Sequence, residues 1–167
     1  MVLERVLITG DTHGRVEDRL RSIRDNMPEY EPEKTAVIIL GDAGINYHLN
    51  GIDRTHKKQI SRYGYTVYCL RGNHEACPSD ISGMKLIRDD FTDGAVWIEE
   101  EFPLIRYFCD WGVYNFLGRK ILCLGGAYFI DKNYRLMNGW TWFENEQLTT
   151  CEMDECYRSV KNEEFNF

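Results

Sequence analysis

Polar side chains of metal-ligand type follow three apolar runs of the chain. Asp11 and His13 come after the first run, Asp42 after the second, and Asn73 with His74 after the third. Carboxylate oxygens, imidazole nitrogens and amide oxygens can all bind divalent metal ions, and an imidazole can also carry a proton. The residue types therefore suit a metal centre with a proton carrier beside it.

Each cluster taken alone also has a simpler interpretation. Asp11 and His13 are two residues apart, so in an extended backbone they can point to the same side and either hold a metal or form a hydrogen bond that caps the following helix. Asp42 and Asn73 stand beside glycines, where both residue types are common in turns. The combination favours chemistry, because three successive strands each end in a glycine-flanked residue of ligand type.

The apolar runs predict the strands that bring these residues together. Residues 6–9, 36–40 and 66–70 are short and apolar, with many β-branched side chains, which predicts buried strands. A helix predicted over 16–27 follows the first strand, and connections of this length predict a parallel sheet with right-handed crossovers. In such a sheet the carboxyl ends of the strands lie together, and ligands bind there.

The second half of the chain predicts a different arrangement. Four short strand candidates, expected to be antiparallel, occupy residues 95–98, 104–108, 113–117 and 120–124. An irregular aromatic loop over 128–143 follows them, and then a helix that begins at a capping box of Thr149 and Glu152 and runs to about Lys161. Together these elements predict one α/β domain over residues 1–167, built as a mixed-sheet sandwich.

Composition and charge argue against several classes of protein. The 167 residues are 43% hydrophobic and carry a formal charge of −7, whereas a nucleic-acid groove or an anionic membrane needs clustered Lys and Arg. The six cysteines form no CxxC pair and are predicted to be reduced. Because no apolar run approaches the length of a membrane span and no leader pattern is present, the sequence predicts a cytoplasmic location.

The three polar clusters resemble the signature of the calcineurin-like metallophosphoesterases. That signature runs Asp-x-His, Gly-Asp and Gly-Asn-His-Asp/Glu. Here it stands in the same order as Asp11-Thr12-His13, Gly41-Asp42 and Gly72-Asn73-His74-Glu75. The stretch 125–128, followed by Asp131 and Arg135, is similar to a small, phage-like branch of the family. Arg135 is suited to a phosphate oxygen, with ordinary packing inside its loop as the alternative.

The resemblance implies an α/β/β/α sandwich and a role for each residue of the motifs. Asp11 and His13 would bind a first metal, Asp42 would bridge two metals, Asn73 would bind the second, and His74 would act as general acid at the leaving group. Two divalent ions, such as Mn²⁺, Fe or Zn²⁺, would share a hydroxide and stabilise the in-line transition state of a phosphate mono- or diester.

The sequence departs from the family's pattern in its histidines. The family has further histidines downstream, including a Gly-His-x-His pair, whereas this chain has only His13, His48, His56 and His74. The chain could be the amino-terminal part of a longer protein, a catalytically silent binding module, or a protein in which His48 or His56 supplies the missing ligand. We favour the first explanation, which predicts an incomplete second sheet, a weak second metal site and self-association through an uncovered edge or apolar face.

Overall fold

A six-stranded mixed sheet forms the centre of the molecule. The computed structural model describes residues 2–128 and 130–165. Its strands are β1 (Arg5–Gly10), β2 (Thr35–Leu40), β3 (Thr66–Leu70), β4 (Met84–Arg88), β5 (Ala95–Glu99), β6 (Ile105–Phe108), β7 (Trp111–Phe116) and β8 (Arg119–Leu124). Its α-helices are α1 (Val16–Asn26), α2 (Gly51–Ser61), α3 (Lys132–Met137) and α4 (Thr150–Val160).

The order of the strands places the three polar loops side by side. The large sheet runs β1-β2-β3-β6-β5-β4, and β7 pairs with β8 in a separate ribbon. Strands β1, β2 and β3 are parallel and in register, so that Gly10 pairs with Leu40 and Leu40 with Leu70. The predicted parallel arrangement is therefore confirmed, and the loops that follow these strands leave the sheet at the same edge.

Each face of the large sheet has its own apolar core. Helices α1 and α2 cover one face, where the side chains of Leu20 and Ile60 are buried against Val37, Ile39 and Val67. Full burial of one such side chain contributes about 2 kcal/mol to the free energy of unfolding. The β7–β8 ribbon packs on the other face, and α4 packs against β7. These layers confirm the predicted mixed α/β class, with β7 and β8 forming the second β layer in the described residues.

The second half of the chain differs from its prediction in three places. Strand β6 pairs with β5 in antiparallel orientation as expected, but its other neighbour is β3, to which it is parallel. Strand β4 is absent from the prediction. It lies at the edge of the sheet, and Leu86 in it is half exposed, so its sequence shows no clear apolar face. The short helix α3 lies within the predicted aromatic loop over 128–143, of which residue 129 is outside the described residues.

Helix α4 begins as its sequence predicts. The Thr149 side chain accepts a hydrogen bond from the Glu152 backbone N–H, and the Glu152 carboxylate accepts one from the Thr149 backbone N–H. This reciprocal capping box satisfies two donors that a helix start otherwise leaves unpaired.

Part of the sheet face beside the ribbon is apolar and exposed. Ile8 on β1 and Leu40 on β2 share this face with Val6 and Ile38, which pack against the ribbon. Ile8 is 60% exposed and Leu40 is 52% exposed. They are diagonal neighbours across the strand pair, so together they form one apolar patch. Its exposure to water is unfavourable.

We propose that copies of the protein associate through this patch. Light scattering across a concentration series should show dimers or larger species, and Ile8→Lys should shift them towards the monomer because a charge opposes burial of the patch. Ile52→Lys is the matched control, since Ile52 is similarly exposed, at 48%, on α2. A monodisperse monomer at all concentrations would contradict the proposal.

Candidate metal centre

The loops after β1 and β2 bring three candidate ligands together. One oxygen of Asp11, one oxygen of Asp42 and one ring nitrogen of His13 all lie within 4.8 Å of one another. Asp11 Oδ1 is 2.7 Å from His13 Nε2, and the two side chains are 72% and 55% exposed. Within residues 2–128 and 130–165, no other three His, Cys, Asp or Glu side chains converge in this way.

Helix capping does not account for the Asp11 and His13 pair. Helix α1 begins after Arg15, and no side chain accepts a hydrogen bond at that cap. The two side chains pair with each other instead, and each has a ligand atom within 4.8 Å of one in Asp42. The structure thus brings together three of the four residues that the sequence predicted as metal ligands.

The backbone at all three residues is left-handed. Asp11, His13 and Asp42 have φ values of 47°, 43° and 47°, a region that costs a non-glycine residue about 1–2 kcal/mol. The loops are held there by backbone hydrogen bonds: the His13 N–H donates to the Asp42 carbonyl at 2.7 Å, and the Gly14 N–H to the Ala43 carbonyl at 2.9 Å. Strain of this kind is concentrated at functional sites, where the surrounding structure sustains it.

Gly72 lets the third loop lie directly against Asp42. A Cβ atom at this position would be 2.1 Å from Asp42 Oδ1 and 2.5 Å from the Asp42 backbone nitrogen, distances at which no carbon atom can sit. Only glycine fits here, because the contact is with backbone as well as side chain. The glycine that opens the third motif is thus required by the close approach of two loops.

His74 is fixed beside the three candidate ligands. Its backbone N–H donates to Asp42 Oδ1 at 2.9 Å, and its ring stands edge-on to the His13 ring with the centroids 5.3 Å apart. Its Nε2 atom is 3.9 Å from Asp131 Oδ2. The imidazole that was predicted as general acid therefore lies next to the cluster, as the sequence order implied.

Asn73 is held through its main chain by Arg135. The Arg135 guanidinium donates to the Asn73 carbonyl oxygen at 3.3 Å and forms a bidentate pair with Glu146 at 3.0 and 2.6 Å. The Arg135 side chain is fully buried, so a phosphate could reach it only if this pair opened. The geometry favours the loop-packing alternative for Arg135 over a contact with substrate.

Comparison with protein families agrees with this arrangement. The model of the calcineurin-like phosphoesterase family matches residues 4–164. The chain belongs to this family. The match includes all three loops of the cluster and helix α4. No curated protein matches the chain at a significant level.

The donor set of this site fits a divalent metal ion. Two carboxylates and one imidazole are suitable ligands for divalent transition metals, and metal dependence is what the family implies. The carboxylates of Asp11 and Asp42 also approach each other, with one oxygen of each within 4.8 Å of the other. A dication would neutralise both charges, which is the simplest reason for loops that hold them together.

Glu75 belongs to the third motif, and the sequence predicts no role for it. Its carboxylate is buried and accepts a hydrogen bond from the Gly44 N–H at 2.6 Å. Burial raises the pKa of Glu75 to about 7, although hydrogen bonds from backbone N–H groups, Gly44 first, lower it. Glu75 thus ties the loop of Asp42 to the loop of His74. Its place at the end of the third motif was the only signal for this role.

All four histidines of the chain line one cavity. Its volume is about 670 Å³, and Tyr47 and Trp140 contribute aromatic walls. His13 and His74 belong to both the cavity and the site described above, whereas His48 and His56 line the cavity and stand outside the three-ligand group. The structure therefore places His48 and His56 near the centre without making either a fourth member of that group.

Proposed function

We propose that the protein hydrolyses phosphate mono- or diesters in a metal-dependent reaction, with His74 as general acid. One observation supports this most directly. Asp42 lies at the junction of the three loops, within 4.8 Å of the ligand atoms of Asp11 and His13 and 2.9 Å from the His74 backbone N–H. A residue so placed can hold a metal while it fixes the proton donor beside it.

Each residue has a defined part in the proposed reaction. Asp11, His13 and Asp42 would hold one ion, and Asp42 and Asn73 would share a second, weaker one. The ions, when bound, supply positive charge to the phosphoryl oxygens and acidify a water molecule. The water molecule gives a proton to solvent, its oxygen forms the new P–O bond and the ester P–O bond breaks. The leaving oxygen takes its proton from His74, which regains a proton from solvent.

Local charge explains how an acidic protein can bind an anionic ester. The chain carries a formal charge of −7, which repels a phosphate at long range. Two divalent ions against the carboxylates of Asp11 and Asp42 leave the site itself positive. Substrate affinity should therefore depend on metal loading far more than on the surface charge.

We propose Mn²⁺, Fe or Zn²⁺ as the ions and the cytoplasm as the location. In the described part of the chain, no helix has the length and apolar character needed to cross a membrane. No specific nucleic acid is proposed as a partner.

The proposal is tested by hydrolysis assays on the metal-loaded protein. We expect p-nitrophenyl phosphate or bis-p-nitrophenyl phosphate to be hydrolysed with Mn²⁺ and not after chelation with EDTA. Mn²⁺ binding should be followed by calorimetry on the same preparation. Metal binding without hydrolysis of either ester would favour the alternative, a catalytically silent member of the family whose centre has a binding role only.

His74→Ala should lower kcat by about 10²- to 10⁴-fold, the usual contribution of a general acid. The affinity for Mn²⁺ should stay within about twofold, because His74 contacts Asp42 through its backbone N–H, which alanine retains. No histidine offers a matched control, since all four line the cavity, so the metal affinity of the same variant serves instead. An unchanged kcat would rule out the assigned role.

A further inference from the structure

The cavity beside the metal centre is larger than a phosphoryl group requires. Its volume of about 670 Å³ lies in the range of pockets that enclose whole small molecules. His13 and His74 line it, so it opens directly onto the cluster. An ester bound through its phosphoryl group at the metals would therefore have its leaving group beside or within this cavity.

The walls of the cavity are aromatic and carry no fixed charge. The rings come from Tyr47, Trp140, His48 and His56, and the lining also includes Gly139 and Thr141. Among the described lining residues there is no Lys, Arg, Asp or Glu. A second phosphate or a cationic headgroup would find no partner of opposite fixed charge there, whereas a flat, uncharged ring would find aromatic surfaces on which to stack.

Trp140 is held at the cavity although half of it is exposed. Its exposed fraction is 52%, and its ring stands edge-on to Tyr134 with the centroids 5.6 Å apart. The Trp140 backbone N–H donates to the Arg135 carbonyl oxygen at 2.9 Å. Because Arg135 is itself fully buried, the backbone of Trp140 is anchored at the cavity, and its half-exposed ring offers an apolar surface that a ligand can cover.

Tyr47 provides a second ring from another part of the chain. It follows the loop of Asp42, and its ring stands edge-on to His48 with the centroids 4.9 Å apart. Tyr47 and Trp140 thus reach the same cavity from two separate segments. Rings from two segments around one cavity are suited to a planar group that both can contact.

We propose that this cavity takes a planar aromatic leaving group, so that the preferred substrates are phosphate esters of aromatic alcohols or of nucleosides. The proposal rests on the proposed function for the position of the phosphoryl group. Tyr47 and Trp140 set the specificity in it, and the cluster of Asp11, His13 and Asp42 does not.

The test compares esters that differ only in the aromatic ring. Benzyl phosphate and cyclohexylmethyl phosphate have leaving groups of similar size and basicity, and we expect kcat/KM to be about tenfold higher for the benzyl ester. Ethyl phosphate gives the level without a ring, and nucleoside 5′-monophosphates form a further arm. A preference for a nucleotide over benzyl phosphate identifies a nucleobase as the ring, and the reverse identifies a simple aryl group. Equal values for the benzyl and cyclohexylmethyl esters would overturn the proposal.

Variants of Trp140 test the same point from the side of the protein. Trp140→Ala should raise KM for benzyl phosphate about tenfold and leave kcat, and both constants for ethyl phosphate, within about twofold. Trp140→Phe should restore most of the affinity. Tyr157→Ala, at an aromatic residue that is 68% exposed on α4, is the control and should change nothing. A Trp140→Ala variant with unchanged KM for benzyl phosphate contradicts the proposal.

Binding without turnover separates this proposal from the proposed function. Calorimetry with Mn²⁺-loaded protein should show tighter binding of benzylphosphonate than of cyclohexylmethylphosphonate, with the difference lost in Trp140→Ala. If that difference is found while no ester is hydrolysed, the phosphoesterase function fails and the aromatic site stands. If esters are hydrolysed but the two phosphonates bind equally, the function stands and the aromatic site fails.

Discussion

Asp42→Asn should lower kcat/KM for an aryl phosphate by about 10³-fold or more, because the variant loses a charged ligand from the centre. Asp42 is the residue that the other two loops share: it lies within 4.8 Å of the ligand atoms of Asp11 and His13, and it accepts the His74 backbone N–H. The asparagine amide oxygen can keep that hydrogen bond. The fold should therefore survive while metal binding weakens.

The control for this variant is Asp25→Asn. Asp25 is a surface residue that pairs with Arg24 at 2.8 Å, and its side chain is 52% exposed, so its charge should matter little to stability or activity. Mn²⁺ affinity by calorimetry, kcat/KM and the thermal midpoint should be measured for both variants. Native activity in Asp42→Asn would show that the three-loop junction is not the reaction centre.

Gly72→Ala should damage the centre although it removes no functional group. The added methyl would lie 2.1 Å from Asp42 Oδ1 and 2.5 Å from the Asp42 backbone nitrogen, and a backbone atom cannot rotate away. The two loops must separate, which should cost about 1–3 kcal/mol of stability. Because a displacement of about 1 Å can cost about 10²-fold in rate, we expect a loss of activity of that order.

Gly51→Ala is the matched control for the glycine variant. A Cβ atom at Gly51 would have no heavy atom within 4 Å, and the residue is the first of helix α2, where alanine is at least as favourable as glycine. Chemical denaturation and Mn²⁺ titration of both variants would separate lost stability from lost metal affinity. Equal behaviour of the two variants would mean that the third loop does not press on Asp42 in solution.

The sequence predicts the convergence of the three loops because the information is local to each strand end. Short apolar strands at crossover spacing predict a parallel sheet, and a parallel sheet brings its loops to one edge without any knowledge of side-chain packing. Asp11, His13 and Asp42 are found together for that reason. The capping box at Thr149 is likewise contained in four consecutive residues.

Features that depend on distant contacts could not be predicted in this way. Strand β6 is parallel to β3 because the chain crosses back to the middle of the sheet, and nothing in the short strand itself records its neighbour. The sequence suggested a phosphate contact for Arg135 because a guanidinium suits a phosphate oxygen. Its partner Glu146 is eleven residues away and both side chains are fully buried, a pairing visible only in three dimensions.

The cavity also depends on contacts between distant parts of the chain. Tyr47 and Trp140 lie far apart in the sequence, with the six strands β3 to β8 between them, and neither belongs to a motif. Their common location depends on how the segment after β8 returns to the loop of Asp42. Sequence patterns identified the edge of the sheet where the candidate ligands meet, whereas the walls of the cavity could be located only in the folded chain.

The Arg135–Glu146 pair has a consequence for the thermodynamics of ligand binding. The pair is fully buried and joins the Trp140 segment to the Asn73 carbonyl oxygen, and leaving either charge unpaired would cost about 3–5 kcal/mol. The backbone that carries Trp140 is therefore fixed when the chain folds and not when a ligand arrives. A ligand meets a pre-organised surface, so little conformational entropy is lost on binding and more of the contact energy appears as affinity.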